Sequence, residues 1–314
     1  MLRMRPARFA GRAFLPLLGT AWLIGWIMGD RETPWVWFYF IPAPFILAAG
    51  LLDLFVCRHA PFRWRTALVI GLTLLAAVKT ALRDTHWNRP RVDAPAGAIR
   101  IVHWNVAHTP FGLFPMFKQL RADRPDLVVL SESAHGRYWS DWSNTELGLP
   151  YAFHDQGMTL LSRFDFEPQG TIRLPNARAW WARIELPDGP LDLVLCDLLS
   201  HPRLNLRAAL DPLAQWVEQR DAAIPLLVVG DFNTPRDARS WGPLRARLRH
   251  AYEVAGRGWP YSWPLPFPVY ALDHAWVSDK ITVHGYRLRS AAISDHRRQI
   301  LTIGIDRKTA SSTE

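Results

Sequence analysis

The hydrophobic pattern of the chain changes in character near residue 90. Before that point three long apolar segments follow one another: residues 13–29 and 34–52 carry no charged side chain, and residues 66–82 carry only Lys79. A helix needs about 20 apolar residues to cross the hydrocarbon core of a bilayer, with about 17 as the lower limit. The pattern predicts a membrane anchor over residues 1–82 with about three transmembrane helices, at 13–29, 34–56 and 66–82. The alternative is three buried helices of a soluble domain.

The remainder of the chain has the pattern of a mixed α/β domain. Residues 83–98 are polar and contain two prolines and a glycine, which is typical of a linker. Short apolar runs that predict strands then alternate with amphipathic segments that predict helices. The predicted strands cover residues 99–106, 127–130, 158–161, 181–186, 191–197, 226–229, 274–278, 281–288 and 299–305, and the predicted helices cover 113–123, 206–219 and 237–248. We expect an α/β sandwich over residues 99–307 and a disordered tail at 308–314.

The positive charge of the protein is concentrated in the N-terminal part. Of 37 basic and 28 acidic side chains, residues 1–92 hold 12 and 4, whereas residues 93–314 hold 25 and 24. The larger part is therefore almost neutral and lacks the basic surplus that is typical of nucleic-acid-binding domains. The two cysteines, Cys57 and Cys196, exclude a disulfide framework and a cysteine-based zinc site.

The arginines predict how the anchor is oriented. Residues 3, 5, 8 and 12 are arginines, as are residues 58, 63 and 65 between the second and third segments. Positively charged loops stay in the cytoplasm, so three spans place everything after Arg83 outside. We expect an integral protein of the inner or plasma membrane whose large domain lies on the extracytoplasmic side; loss of the third span would place that domain inside.

Polar side chains follow several predicted strands, at the points where the strands end. Asn105 and Glu132 end two of them, Asp231 and Asn233 follow a third, and Asp273, His274, Asp295 and His296 flank the late strands. Side chains at strand ends converge easily on one pocket. Several carboxylates in one pocket raise one another's pKa unless a cation is present, and oxygen-rich sets suit Mg²⁺ or Mn²⁺.

The order of the motifs resembles a known family. WN at 104–105, SE at 131–132 in place of the more usual QE, GDFN at 230–233, LDH at 272–274 and SDH at 294–296 are similar to the motifs of the endonuclease/exonuclease/phosphatase superfamily. The resemblance covers residues 99–305. It implies the DNase I-like fold, a four-layer α/β sandwich of two mixed sheets, and metal-dependent hydrolysis of phosphate esters without a covalent intermediate.

The resemblance also implies a role for each matching residue. Glu132 is expected to be the principal metal ligand, with Asp295 as a second acidic residue near the metal and Asn105 holding the metal or the phosphate. Asp231 is expected to orient or deprotonate the attacking water, and Asn233 to bind that water or a phosphate oxygen. His296, oriented by Asp273, is expected to donate to the phosphoryl group. We expect His274 to be structural, and nothing in the sequence distinguishes His103, His108 and His135 from surface or packing histidines.

One position departs from the family pattern. Family members usually carry a histidine or a tyrosine in the strand before the second helix, where this chain has Asp197. His201 follows four residues later, and Arg207 matches the arginine of the family's next helix; these three are weaker candidates for substrate binding. The departure weakens a nuclease interpretation.

The sequence therefore predicts a membrane-anchored phosphoesterase that uses Mg²⁺ or Mn²⁺ to activate water against a phosphodiester or phosphomonoester. A metal-dependent endonuclease or exonuclease is the alternative enzyme, so nucleic acid is a possible but less favoured substrate. An inactive membrane-bound binding domain is the alternative from another class of function.

Overall fold

The computed structural model describes residues 5–30, 35–56, 64–90, 92–108, 110, 112–134, 139–201 and 207–306, with the side chains of residues 5–13 excepted. Contacts divide the chain into two compact units: Met1–His86, and Trp87–His201 with Leu206–Glu314. The arginines at 3, 58 and 63, His135 and the predicted tail at 308–314 lie outside the described residues.

The first unit is helical. Its elements are α1 (Arg5–Met28), α2 (Trp35–Tyr39), α3 (Ala43–Val56) and α4 (Trp64–Val78), and a π-helical turn at Lys79–Asp84 extends the last. The prediction of a single helix over residues 34–56 is wrong, because the chain breaks between α2 and α3 at Pro42. Proline has no N–H to donate and disfavours helical geometry in the residue before it, so α2 ends and α3 begins around it.

Among the described residues, one helix is long and apolar enough to cross a membrane, judged by length and composition alone. It is Trp64–Asp84, with 21 residues, whereas the apolar helices Phe14–Met28 and Ala43–Val56 are shorter. The expected number of about three transmembrane helices is thus not supported. The π-helical turn is what lengthens the third segment, and an ion pair of 2.8 Å between Lys79 and Asp84 lies within it.

Small residues allow close approach between the helices of the first unit. A Cβ atom on Gly50 would lie 2.0 Å from the hydroxyl oxygen of Thr73, and one on Gly25 would lie 2.2 Å from the backbone of Phe38. Close backbone approach at small residues is also how membrane helices pack together.

Two six-stranded mixed sheets form the centre of the second unit. In spatial order, the first sheet comprises β11 (Ile281–Arg289), β12 (Arg298–Ile305), β1 (Ile99–Asn105), β2 (Leu127–Ser131), β4 (Met158–Ser162) and β3 (Tyr151–Asp155). The second comprises β5 (Phe166–Thr171), β6 (Ala177–Leu186), β7 (Gly189–Leu198), β8 (Leu226–Asp231), β10 (Asp273–Val277) and β9 (Arg249–His250). The predicted α/β architecture with two mixed sheets is confirmed.

The sheets share a buried core, and five helices pack against them in the described part of the second unit. Ile101 and Leu127 of the first sheet cluster with Leu193 and Val229 of the second. The helices are α5 (Leu113–Asp123), α6 (Trp139–Leu147), α7 (Arg207–Glu218), α8 (Gly242–Arg245) and α9 (Ala251–Ala255). Residues from α5 and α6 join a second apolar cluster with β1, β2 and β4. The ring of Trp216 in α7 makes an edge-to-face contact with the ring of Trp181 in β6, and their centroids are 5.6 Å apart.

The single helix predicted over residues 237–248 is wrong. The structure has a 3₁₀ turn at Arg239–Trp241 and then the four-residue α8, followed by the short strand β9. Pro243 lies in the first turn of α8. Proline is favourable at the start of a helix but disrupts an interior, so it separates the two short elements.

The segment before β1 is attached to the second unit. The guanidinium of Arg89 donates to the backbone oxygens of Tyr252, Glu253 and Gly256 at 2.7–2.9 Å, where α9 ends. The last carbonyls of a helix lack partners further along it, so one arginine supplies donors to the C-terminal end of α9 and to the glycine that follows it.

Candidate active site

The topology brings the ends of five strands to one edge of the sandwich. β1 and β2 run parallel, and Asn105 pairs in register with Ser131, the residue before Glu132. In the second sheet β7 and β8 run parallel with Asp197 opposite Asp231, and the antiparallel β10 begins with Asp273 opposite Asp231. Parallel neighbours end at the same edge of a sheet, so these side chains meet there.

Asn105 joins the two sheets through its side chain. Its Nδ2 donates to Oε1 of Glu132 at 3.0 Å and to Oδ2 of Asp231 at 2.8 Å. Its Oδ1 accepts from the backbone N–H of Ala107 at 2.9 Å, which fixes the orientation of the amide. Asn105 is 1% exposed. Asn105, Glu132 and Asp231, which the sequence predicts to converge, therefore form one hydrogen-bonded centre that joins the two sheets.

His296 and Asp273 form a buried pair beside this centre. Nδ1 of His296 donates to Oδ2 of Asp273 at 2.8 Å, and its Nε2 lies 3.8 Å from Oδ2 of Asp231. Burial by itself lowers the pKa of His296, but the charge and hydrogen bond of Asp273, followed by Asp231 and Asp295, raise that pKa to about 10. The ring is therefore positively charged at neutral pH.

The two buried aspartates have pKa values shifted in opposite directions. Burial, followed by the charge of Asp273, raises the pKa of Asp231 to about 8, against opposing effects of His296 and Asn105. For Asp273 burial acts in the same direction, but the charge and hydrogen bond of His296 outweigh it and lower the pKa. Asp273 is thus a fixed anion, and Asp231 is a carboxyl group with an unusually high affinity for a proton.

A buried histidine that the sequence did not distinguish lies behind Asp273. Nδ1 of His103 is 3.8 Å from Oδ1 of Asp273, and its Nε2 is 3.0 Å from Oγ of Ser131. The amide of Gln299 reaches its Nδ1 at 2.7 Å. Because a neutral imidazole has one donor nitrogen, Nε2 carries the hydrogen and Nδ1 accepts from the amide. Burial lowers the pKa of His103 to about 4, so a neutral ring packs behind the pair.

Asp197 points into the site. Burial, and then the charge of Glu132, raise its pKa to about 6, while Arg178, whose Nη1 is 3.7 Å away, lowers it. Nε2 of the exposed His108 lies 3.5 Å from Oε2 of Glu132. The aspartate at the family's usual histidine position therefore adds a carboxylate to the cluster.

Asn233 and Asp295 border the cluster. The backbone N–H of Asn233 donates to Oδ1 of Asp231 at 3.0 Å, and its side-chain amide donates to the backbone oxygen of Leu198 at 2.7 Å. Asp295 is exposed, and the indole of Trp263 donates to its Oδ2 at 2.8 Å.

The remaining candidates have other surroundings. His201 is an exposed residue after β7, and Arg207 begins α7, where its Nε lies 3.7 Å from Oδ2 of Asp211 one turn later. We assign neither to the cluster. His274 is fully buried, and its ring nitrogens meet His250 at 2.9 Å and the backbone oxygen of Thr234 at 2.7 Å.

The donor set fits a hard divalent cation. Ligand atoms of Asp231, Asp273 and His296 all lie within 4.8 Å of one another. Nδ1 of His296 is engaged by Asp273, so the donors that remain around Asn105 are mainly the oxygens of Glu132, Asp231 and Asp197. Burial, and then the charge of a neighbouring carboxylate, raise the pKa values of Asp197 and Asp231, and a bound cation would offset both effects. Oxygen ligands of this kind suit Mg²⁺ or Mn²⁺.

Comparisons with known proteins agree with this geometry. Residues 102–296 match the sequence profile described as "Endonuclease/Exonuclease/phosphatase family". A search of curated proteins gives no match.

Solved structures with a similar fold share little sequence. The human Nocturnin catalytic domain with bound sulfate anion is 20% identical, with a TM-score of 0.54 over 69% of this chain and 97% of that one. A mannosyl-6-phosphatase of Bacteroides thetaiotaomicron is 14% identical, with a TM-score of 0.54 over 66% and 100%. D. rerio TDP2 complexed with single-strand DNA product is 15% identical, with a TM-score of 0.53 over 66% and 99%.

Proposed function

Because the chain belongs to the endonuclease/exonuclease/phosphatase family, whose members hydrolyse phosphate esters, we propose that it is a membrane-anchored phosphoesterase that depends on Mg²⁺ or Mn²⁺. Its substrate is a phosphodiester or a phosphomonoester, and the nucleophile is water. The observation that carries the proposal is the hydrogen-bonded centre in which Asn105 joins Glu132 to Asp231, with the charged ring of His296 beside it.

A divalent metal supplies charge neutralisation at the phosphate and lowers the pKa of bound water. We assign Glu132 as its principal ligand, with Asp295 nearby and Asn105 orienting Glu132. The buried Asp197 adds negative charge near Glu132 and so strengthens the attraction for a cation. Metal dependence in this chain thus rests on the oxygen-rich donor set.

The side chains around the centre have different roles in the attack of water on the phosphate. Asp231 accepts a proton from the attacking water in its ionised form: burial raises its pKa to about 8, which strengthens the base, and the charge of a bound cation would favour the ionised form. Asn233, fixed by its backbone bond to Asp231, orients the water or a phosphate oxygen. The Nε2–H of His296 donates to a phosphoryl oxygen as negative charge accumulates there, and Asp273 holds the ring in place. Charge neutralisation and positioning are what phosphoryl transfer requires.

Membrane anchoring is supported by the character of the first unit. Among the described residues, 17 of the 24 exposed large hydrophobic side chains lie between Phe14 and Leu82. Exposed apolar surface on that scale is typical of lipid contact. We propose residues 1–82 as the anchor, with the transmembrane helix Trp64–Asp84 and the two shorter apolar helices before it, 83–98 as the connection, and the catalytic domain at 99–307 on the extracytoplasmic side.

A nuclease is the less favoured enzyme. Arg245, Arg247 and Arg249 do not form a phosphate track, since each is paired with a different carboxylate, on Glu253, Glu218 and Asp279 respectively. Nucleic-acid binding gains most of its affinity from unpaired basic side chains. The similar structures include both a sugar phosphatase and a DNA complex, so the fold alone does not choose between these substrates.

The retained site argues against the third alternative, an inactive binding domain. Asp231, Asp273 and His296 keep a proton acceptor, a buried anion and a charged donor within 4.8 Å of one another, at a cost in buried charge that binding alone would not require.

An activity screen tests the proposal. The full chain in nanodiscs, with Mg²⁺ or Mn²⁺, is compared on plasmid DNA, phospholipids and small phosphodiesters and phosphomonoesters at equal ionic strength. We expect faster turnover of a small or lipid-derived ester than of duplex DNA. Plasmid nicking that is faster than every other reaction would favour the nuclease, and no hydrolysis of any substrate would favour the binding domain.

A further inference from the structure

A cavity of about 500 Å³ lies next to the proposed catalytic centre and takes no part in the chemistry described so far. Two of its lining residues, Ser294 and Asp295, are polar. The others are apolar: Ala107, Pro110, Leu265, Pro266, Ala292 and Ile293. Its volume is in the range of small-molecule binding sites, and apolar lining with a few polar groups is typical of them.

The cavity is continuous with the catalytic residues. Asp295, which lines it, directly precedes His296. Oγ of Ser294 donates to the backbone oxygen of Asn105 at 2.7 Å and accepts from the backbone N–H of His296 at 3.0 Å. Ala107, which also lines the cavity, is fixed by the hydrogen bond from its backbone N–H to Oδ1 of Asn105. A single molecule can therefore place a phosphate at the catalytic centre and another of its groups in the cavity.

One wall of the cavity is a loop that is fixed to the catalytic segment. The loop closes at its base where Trp263 and Tyr270 exchange backbone hydrogen bonds of 2.8 and 3.0 Å. Its Leu265 N–H donates to the backbone oxygen of Asp295 at 2.8 Å, and the indole of Trp263 donates to the carboxylate of the same residue at 2.8 Å. The wall is thus preformed, which reduces the entropy that a ligand must offset on binding.

The charge of the cavity selects against a polyanion. Among the residues that the structure describes, Asp295 is the only charged one that lines the cavity, and it is acidic. A second phosphate would meet a carboxylate and apolar side chains there, with no basic group among the lining residues. An apolar substituent instead removes hydrocarbon surface from water in that space.

We propose that this cavity, lined by Leu265, Pro266, Ala292 and Ile293, binds the apolar substituent of the phosphoester substrate and makes the protein selective for esters that carry a hydrocarbon group. This inference rests on the proposed function and specifies its substrate class. The phosphate lies at the catalytic centre, and the hydrocarbon group extends past Asp295 into the cavity.

A substrate series tests the inference. The full chain in nanodiscs is assayed with Mg²⁺ on p-nitrophenyl phosphodiesters whose second ester group is methyl, butyl or hexyl, all used below their aggregation concentrations. Burial of each methylene is expected to raise kcat/KM about threefold to fourfold until the cavity is filled. Ala292→Leu, which fills the cavity, and Ile293→Ser, which makes it polar, should flatten this dependence on chain length.

Phe267→Ser is the matched control. Phe267 belongs to the same loop and is 81% exposed, but it does not line the cavity, so its variant should keep the wild-type dependence on chain length. Hydrolysis of the series without a dependence on chain length, or an equal loss in all three variants, overturns the inference and leaves the proposed function in place. No hydrolysis of the methyl ester with any divalent metal overturns the proposed function and this inference together.

Discussion

Nδ1 of His296 lies 2.8 Å from Oδ2 of Asp273, and both side chains are buried. The aspartate comes from the first position of β10 and the histidine from the segment before β12, so residues from the two sheets meet in this pair. The ring is held in one orientation with its other nitrogen directed towards Asp231. The positive charge that the proposed reaction needs thus depends mainly on Asp273, with smaller contributions from Asp231 and Asp295.

Asp273→Asn should therefore change the pH dependence of hydrolysis. Asp273 raises the pKa of His296, and the charged ring is lost as pH rises through that pKa. Removal of the carboxylate should move the alkaline limb of the kcat profile to lower pH and reduce kcat about a hundredfold, with little change in KM. The control is Asp279→Asn, an exposed aspartate that pairs with Arg249. An unchanged alkaline limb would contradict the role of Asp273.

Removal of the metal should abolish hydrolysis. EDTA is expected to inactivate the full chain, and Mg²⁺ or Mn²⁺ should restore its activity. Glu132→Gln or Asp231→Asn should lower kcat at least a hundredfold, because each removes a charge from the centre that Asn105 joins. Circular dichroism should show that both variants remain folded. Full activity in EDTA, or in either variant, would refute the mechanism.

Asp197→Asn should weaken metal binding more than it lowers kcat. Asp197 is buried near Glu132, so its negative charge adds to the attraction for a cation. We expect the Mg²⁺ concentration at half-maximal activity to rise about tenfold, with most of kcat recovered at saturation. An unchanged metal requirement would indicate that Asp197 has another role. Asp188→Asn, in the exposed turn between β6 and β7, is the control.

Acid should destabilise the protein through buried neutral histidines. Burial lowers the pKa of His274 from 6.5 to about 4, so between these values the unfolded chain binds a proton that the folded chain does not. The free energy of unfolding should fall as pH drops from 7 to 4, by up to about 3 kcal/mol from this residue. Denaturant titrations at several pH values measure the slope, which should be smaller in His274→Gln. An equal slope in both proteins would exclude the histidine as the cause.

Reporter fusions test the orientation of the anchor. A reporter that is active only outside the cytoplasm should be active when fused after Arg91 and silent when fused after Arg63, because arginine-rich loops stay inside. The opposite result after Arg91 would mean an even number of spans and a cytoplasmic catalytic domain.

The sequence predicts the fold and the central residues because their signals are local. Asn105, Glu132 and Asp231 each follow a buried apolar strand, and parallel pairing brings such ends together. Edge elements carry no such signal: β3 is partly buried along its length without an alternating pattern, β5 is largely exposed, and the two-residue β9 is too short for any periodicity. Neither these strands nor α6 is predicted.

Long-range contacts account for what the sequence could not predict in the site. The position of His103 behind Asp273 depends on the packing of one sheet against the other, and no motif marks it. The orientation of the Asp197 side chain likewise depends on tertiary contacts. The helical break at Pro42, in contrast, had a local signal, since proline interrupts helices wherever it is not near their start.

The amide of Asn105 has a mechanical consequence. Its acceptor Glu132 follows a strand of the first sheet, and its acceptor Asp231 ends a strand of the second. The geometry of the catalytic centre therefore depends on how the two sheets are aligned. A small slip between the layers would separate Glu132 from Asp231 while each sheet kept its own hydrogen bonds. Catalytic activity should therefore fall when the core between the sheets loosens, before the strands within either sheet separate.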